Sequence, residues 1–336
     1  MFFPLDKFVW ISDIHFSLAT LDVATACFKQ ALDLALVNNC PVVVSGDVND
    51  TKAVLRSEVV RAITSTLEKY AAVDVLFLIG NHDLDNERNQ NSNCLYFLKN
   101  VKNAVLVENI SFDSEWGLIP YQNSAEKFRE SVKYLEGKVK RIICHQGFFG
   151  AKMGSYAVDQ TSVSPLEMNA FDVVLTGHYH EHHRVGPKDN IIYCGSPYTV
   201  SFAEAGQKKF IHIVTKQEIG ATIESVETGA RRHISVQFHQ KDGPQAAVLE
   251  INPNDLLRIE LHGEKAWINS FDKQKFIEMY GTKNISLVPK PMKQSSSRIT
   301  SQNIFQVADV VKSYMETAQT DLDKGQLMDF FSKELA

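Results

Sequence analysis

Five short segments each run from an apolar, β-like stretch into residues that bind metal ions or move protons. The first three are Trp10-Ile11-Ser12-Asp13-Ile14-His15, Val44-Ser45-Gly46-Asp47-Val48-Asn49-Asp50 and Leu78-Ile79-Gly80-Asn81-His82-Asp83. Ile142-Ile143-Cys144-His145 and Leu175-Thr176-Gly177-His178-Tyr179-His180 follow. Four of the eleven histidines lie between His178 and His183. Carboxylates, an amide oxygen and imidazoles are hard and borderline ligands, and so many exceed the needs of one ion. Such a set suits two divalent metals sharing a bridging carboxylate. Alone, a Gly-Asp pair reads as a turn and a strand-end histidine as a hydrogen-bonded structural residue. Five such segments in order leave that explanation little room.

The elements that must position these residues alternate. Phe8–Ser12 reads as a strand, Leu18–Val37 as a helix, and Pro41–Ser45 as a strand buried on both faces. Ala53–Tyr70 is helical, Val75–Ile79 a strand and Cys94–Lys99 a short helix. Strands near Ala104–Glu108 and Gly117–Tyr121, a helix over Ala125–Lys138, and strands Arg141–Cys144 and Asp172–Thr176 complete an α/β layered half. In open α/β sheets ligands bind beyond the carboxyl ends of strands, so the five segments converge on one rim. After Gly177 consecutive strands take over: Ile191–Cys194, Lys209–Thr215 and Ala221–Val226. A small α+β unit then combines strands near Ile234–Phe238, Ala246–Ile251 and Leu256–Leu261 with a helix at Asp272–Tyr280 and a strand at Ile285–Val288. The segment Pro289–Arg298 reads as a linker, and amphipathic helices follow at about Ile304–Thr317 and Leu327–Leu335.

Composition narrows the class. The 336 residues are 44% apolar and 22% charged, ordinary for a globular protein and unlike collagenous or disordered chains. A net charge of −5 excludes a histone-like basic coat, though a local patch could still hold nucleic acid. Five scattered cysteines with no C-x-x-C pair argue against a zinc ribbon or disulfide framework. No apolar run reaches a bilayer's span, and no basic region precedes the apolar residues of Met1–Lys7, so a soluble, cytoplasmic protein is expected.

D-x-H, G-D, G-N-H-D, a strand-terminal His and G-H-x-H, in this order, resemble the calcineurin-like metallophosphoesterases. Within that superfamily the chain resembles the double-strand-break nuclease branch, the SbcD-type subunits, and most of all their compact phage recombination counterparts. Tyr193-Cys194-Gly195-Ser196-Pro197 with Ser201-Phe202-Ala203-Glu204 is similar to that branch's Y-x-G-S-P…S-F-x-E stretch. Trp116-Gly117-Leu118-Ile119-Pro120-Tyr121 resembles the strand leading to its G-x-P-Y segment. The small α+β unit resembles its capping domain.

The resemblance implies a two-sheet αββα sandwich over residues 1–226, a capping, DNA-contacting domain over 227–290, a linker over 291–302 and a helical hairpin over 303–336. It implies one metal held by Asp13, His15, Asp47 and His180 and another by Asp47, Asn81, His145 and His178, with Asp47 bridging. The expected ions are two Mn²⁺. His82 would act on the transition state or the leaving 3′ oxygen, kept protonated by a neighbouring carboxylate, Asp50 or Asp83. His182, His183 and Arg184, just past the metal motif, could touch the DNA backbone or equally form a solvated loop. The two C-terminal helices either pack on their own core or, as a hairpin through Val307, Val311, Tyr314, Phe330 and Phe331, dock an SbcC-like ABC ATPase, the reading that the polar tether before them favours. With no G-x-x-x-x-G-K-[ST] loop in this chain, any ATP would be handled by that partner. A homodimer through Leu18–Val37 and Ala53–Tyr70 is also implied. The expected activity is 3′–5′ duplex exonuclease and single-strand endonuclease in DNA repair and recombination. The rivals are a stand-alone phosphoesterase acting on nucleotides or cyclic phosphodiesters, and a non-catalytic scaffold. Ser17, Asn49 and Asp50 depart from the branch's usual residues and bear on the surroundings of the site.

Overall fold

The structure, a computed structural model, describes residues 4–86, 89–154, 157–241 and 251–291. In chain order it opens with β1 (Lys7–Ile11), α1 (Leu21–Asn38), β2 (Val42–Val44), α2 (Ser57–Lys69) and β3 (Val75–Leu78). The hairpin β4 (Leu84–Asn86) and β5 (Asn89–Asn93) follows, then β6 (Ala104–Val107), β7 (Ser111–Phe112) and β8 (Trp116–Ile119). Next come α3 (Ala125–Leu135), β9 (Arg141–His145), β10 (Val173–Gly177), β11 (His183–Val185) and β12 (Ile191–Tyr193). The long hairpin β13 (Phe210–Lys216) and β14 (Ala221–Glu227) leads to β15 (His233–His239) and β16 (Leu256–Gly263). The last elements are α4 (Lys265–Asn269), α5 (Lys273–Tyr280) and β17 (Ile285–Pro291).

Two six-stranded sheets form the body, ordered β14-β13-β1-β2-β3-β6 and β11-β12-β10-β9-β8-β7. In the first, the parallel run β1-β2-β3-β6 is extended on one side by antiparallel β13 and β14; in the second, parallel β12-β10-β9-β8 is flanked on both sides by antiparallel β11 and β7. The two-residue period of a strand sends alternate side chains to opposite faces. Phe8, Trp10, Val43 and Leu76 therefore meet Leu118, Ile143, Leu175 and Ile192 between the sheets. Val9, Ile11, Val44 and Phe77 turn outward onto Phe28, Leu32 and Ile63 of α1 and α2. On the far side Ile142, Cys144 and Val174 pack on Phe128, Val132 and Leu135 of α3. Helices thus cover both outer faces, and the molecule is the αββα sandwich that the family resemblance implies, its layers those of the α/β alternation.

A third sheet, β15-β16-β17, is wholly parallel and has its own apolar cluster, in which Phe238, Ile259 and Leu261 meet Ile268 and Phe276. Among the boundaries that differ from the sequence reading, two have identifiable reasons. The second helix begins at Ser57 rather than Ala53, because Ala53 is left-handed (φ 59°) and Asn49 Nδ2 holds the Thr51 and Val54 carbonyls in a turn. The last strand runs on to Pro291, through two prolines read as linker. It is an edge strand, where a missing N–H is tolerated. The remaining linker, both C-terminal helices and Val307, Val311, Tyr314, Phe330 and Phe331 lie outside the described residues, as do positions 246–250 of the expected Ala246–Ile251 strand.

Candidate metal centre

The loops leaving β1 and β2 run side by side. Asp13 N donates to Gly46 O (3.0 Å), His15 N to Asp47 O (3.1 Å) and Phe16 N to Val48 O (2.8 Å). This backbone ladder brings the first two motifs together. Asp13 (φ 53°), His15 (φ 48°), Asp47 (φ 51°) and His178 (φ 92°) all sit in the left-handed region, which L side chains seldom adopt. Backbone strain concentrated in this way marks functional sites. The motif glycines admit the close approach. A Cβ on Gly80 would collide with the Asp47 amide and carboxylate, and one on Gly177 with Ser12 Oγ and the Ser45 carbonyl.

All five segments converge as their places at strand ends require. His145 Nε2 (3.0 Å) and His178 Nδ1 (2.9 Å) both face Asn81 Oδ1, and His145 Nε2 lies 3.3 Å from Asp47 Oδ2. His15 Nε2 faces His180 Nε2 at 3.1 Å and Asp47 Oδ2 at 3.8 Å. Asp47, His145 and His178 form one group of potential ligand atoms and Asp13, His15 and His180 another, and His15 is shared with a further group that it makes with Asp50 and His82. Asp47 Oδ1 accepts from the His82 amide (2.8 Å), so Oδ2 is the oxygen turned between the two groups. Ring nitrogens and carboxylate or amide oxygens converging at such distances can be bridged by a cation in place of protons. A divalent cation suits that arrangement, and this donor set fits two.

The model of the calcineurin-like phosphoesterase family matches residues 6–182, which contain every one of these groups. The chain belongs to the calcineurin-like phosphoesterases. Members of this family use divalent metals, and the two groups are where this phosphoesterase would hold them. It is 26% identical over 223 residues to a protein of Invertebrate iridescent virus 3 that carries the name phosphoesterase 078R, covering 62% of each chain. It is 39% identical over 56 residues to the SbcD component of the SbcCD nuclease of Escherichia coli, 17% of this chain and 14% of that one. The phosphoesterase thus spans less than two thirds of the length of either relative. Among solved structures it is similar to GAP50, the anchor in the inner membrane complex of Plasmodium, with a TM-score of 0.42 and 14% identity over 66% of this chain and 84% of that one.

The phosphoesterase fixes its histidines from behind. His145 Nδ1 bonds the Ser45 carbonyl at 2.8 Å, which leaves Nε2 for a ligand role. His180 Nδ1 bonds Glu204 Oε1 at 2.8 Å, with the same result. Such outer partners set the tautomer and aim of metal-binding imidazoles. Burial raises the Asp47 carboxyl, but His145, His15 and His82 together outweigh that and hold it well below the usual carboxylate range. Burial depresses His145, yet the charges of Asp47 and Asp13 and the Ser45 carbonyl lift it to about 9. His178 is lowered to about 4 by burial and by His145, against the pull of Asp47 and Asp13. Glu204, despite burial, is held down to about 2 by His180 and Lys209.

The residues around the ligands divide. His82 Nδ1 bonds the backbone carbonyl of Asp50 at 2.6 Å, so neither expected carboxylate makes that bond. The Asp50 carboxylate lies 3.4 Å from His15 Nδ1 instead. The Asp83 carboxylate is turned inward, because it accepts the amides of Asn49 (2.9 Å) and Gly80 (2.8 Å), tying the second and third segments together. Burial and the charge of Asp47 push Asp83 up to about 7. His183 has both ring nitrogens engaged, with the Glu181 carbonyl and the Lys152 amide, and stacks on Tyr193. His182 bonds the Tyr193 carbonyl, whereas Arg184 is exposed and reaches the Asp189 carbonyl. Sequence reasoning assigned no role to Glu204 or Lys209. The available signal was the Ser201–Glu204 stretch itself, placed soon after the histidine motif.

Proposed function

We propose that the chain is a two-metal DNA nuclease subunit: a Mn²⁺-dependent phosphodiesterase that trims 3′ ends of duplexes and cuts single strands, working with an SbcC-like ABC ATPase in DNA repair and recombination. The observation that carries the hydrolytic part is Asp47 Oδ2 turned between two groups of converging ligand atoms. Divalent ions bound there would supply an activated water and neutralise charge developing at phosphorus. Asp13, His15, Asp47 and His180 would hold one ion, and Asp47, Asn81, His145 and His178 the other. With its Nδ1 on the Asp50 carbonyl, His82 keeps Nε2 for exchanging a proton with the leaving 3′ oxygen. Asp50 contributes through its carbonyl to His82 and its carboxylate to His15.

Support for DNA as substrate is of two kinds. One is the 56-residue likeness to the SbcD component of a nuclease. The other is the third sheet, a candidate capping domain that abuts the segment behind His180. There Arg258 lies 4.0 Å over the Phe202 ring, and His233 bonds Thr199. The partner ATPase, homodimerisation through α1 and α2, and Arg184 at the DNA backbone belong to the same reading. The longer likeness to the viral phosphoesterase favours a second reading, a stand-alone phosphoesterase acting on small phosphodiesters.

Cleavage of 3′-labelled duplex DNA with Mn²⁺, beside hydrolysis of bis-p-nitrophenyl phosphate, separates the two. The nuclease reading expects 3′ nucleotides to be released, and truncation at Ser297 to abolish only stimulation by an SbcC-type partner. Untouched DNA with a hydrolysed small diester would establish the second reading instead.

A further inference from the structure

Glu204 and Lys209 are polar residues only 6% and 7% exposed, on a segment that contributes no metal ligand. Beside bonds to the Val200 amide and Gln207 Oε1, their shortest contacts lead to His180. Glu204 Oε1 accepts the His180 ring at 2.8 Å, and Oε2 accepts Lys209 Nζ at 2.7 Å. Lys209 Nζ then donates to the backbone carbonyl of the same histidine at 2.7 Å and to Ser196 Oγ at 2.9 Å. The Ser196 amide reaches that carbonyl too, at 3.1 Å. Gly195, left-handed at φ 77°, runs close beneath it, since a Cβ there would lie 3.0 Å from the carbonyl oxygen and 2.8 Å from the His182 amide. One histidine is therefore gripped at ring and backbone by a single ion pair. His145, in the other ligand group, has a backbone carbonyl in that place.

We infer that Glu204 and Lys209 are positioning residues that set the metal affinity of the His15–His180 half of the centre and leave the His145–His178 half alone. The carboxylate holds the proton on Nδ1 and so aims Nε2 at the ion. The lysine keeps that carboxylate in place and prevents the ring from turning about its own backbone. Gly195 and Ser196 from the Tyr193–Pro197 stretch and Glu204 from the Ser201–Glu204 stretch thus join Lys209 in building the cradle. The inference rests on the two-metal reading proposed above. Partners of this kind alter metal affinity by roughly 10- to 100-fold.

The test is calorimetric titration of the full metal-free chain with MnCl₂, for wild type, Glu204→Ala, Glu204→Gln and Lys209→Met, with thermal melts alongside. Wild type should bind two ions. Glu204→Ala should bind one of them roughly 10- to 100-fold more weakly and the other unchanged. Glu204→Gln, which keeps an acceptor for Nδ1–H, should fall between, and Lys209→Met should weaken the same ion. Saturating Mn²⁺ should restore most of kcat on bis-p-nitrophenyl phosphate with KM for that ester unaltered. Wild-type affinity for both ions in a folded Glu204→Ala would overturn the inference, as would equal weakening of both. If Glu204→Ala fails to fold, wild-type binding in both Glu204→Gln and Lys209→Met would overturn it. A wild type that binds fewer than two ions would refute the two-metal reading itself and the inference with it.

Discussion

His145 and His212 are both 0% exposed, and each bonds a backbone carbonyl, Ser45 or Cys194. Burial pushes both toward the neutral form, yet they end far apart, His212 at about 3 and His145 at about 9. The difference is the second neighbour. His212 lies in the first sheet with Ser225 Oγ on its other nitrogen and the His182 ring 4.4 Å away. His145 ends a strand of the second sheet, where Asp47 and Asp13 are brought against it by left-handed turns. Burial alone makes a neutral structural histidine, whereas burial beside inward-turned carboxylates makes a site ready to exchange its charge for a cation.

The strongest way to break this contrast is Asp47→Asn, which removes the charge shared by both ligand groups. Hydrolysis of bis-p-nitrophenyl phosphate should fall by about 10³-fold or more. Calorimetry should find Mn²⁺ binding weakened at both positions. His82→Ala should sharpen it, because the proposed two-metal reading sets His82 beside the ligands rather than among them. A loss of roughly 10²- to 10³-fold in kcat with both ions still bound is expected from steady-state kinetics and metal titration. Gly80→Ala tests the packing that turns Asp47 inward. Overpacking costs about 1–3 kcal/mol, which should appear as a lower urea midpoint together with weaker metal binding.

The smallest effect concerns His212. Its folded pKa of about 3 lies below the ordinary 6.5, so between those values the unfolded chain binds a proton that the folded chain does not. Its contribution is present above pH 6.5 and is lost as pH falls from 6.5 toward 3, at up to about 1.4 kcal/mol per pH unit. His212→Gln should therefore show a shallower loss of stability than wild type between pH 6.5 and 4 in chelator-treated urea titrations. Parallel curves would mean that His212 is not held neutral.

The convergence of the candidate ligands was legible in the sequence because each has a revealing residue type and follows a β-branched or apolar run. The α/β layering was legible because strands buried on both faces, such as Val42–Val44, read as continuous apolar stretches, whereas the two-sheet arrangement came with the family resemblance. What escaped was set by contacts distant in the chain or by polar local detail. Glu204 reaches His180 across 24 positions, and no local spacing encodes that bond. The β4–β5 hairpin, with Asn89–Asn93 reading NQNSN, has no apolar alternation to announce it. Asp83 was placed beside His82 by adjacency, but the nearby amides of Asn49 and Gly80 claim its carboxylate instead.

The central claim is that two ions share Asp47. Anomalous diffraction at the manganese edge from Mn²⁺-soaked crystals tests it most directly. Two peaks per chain are predicted, one among Asp13, His15, Asp47 and His180 and the other among Asp47, Asn81, His145 and His178. A single peak away from Asp47, or none in a protein whose hydrolysis survives chelation, would contradict it.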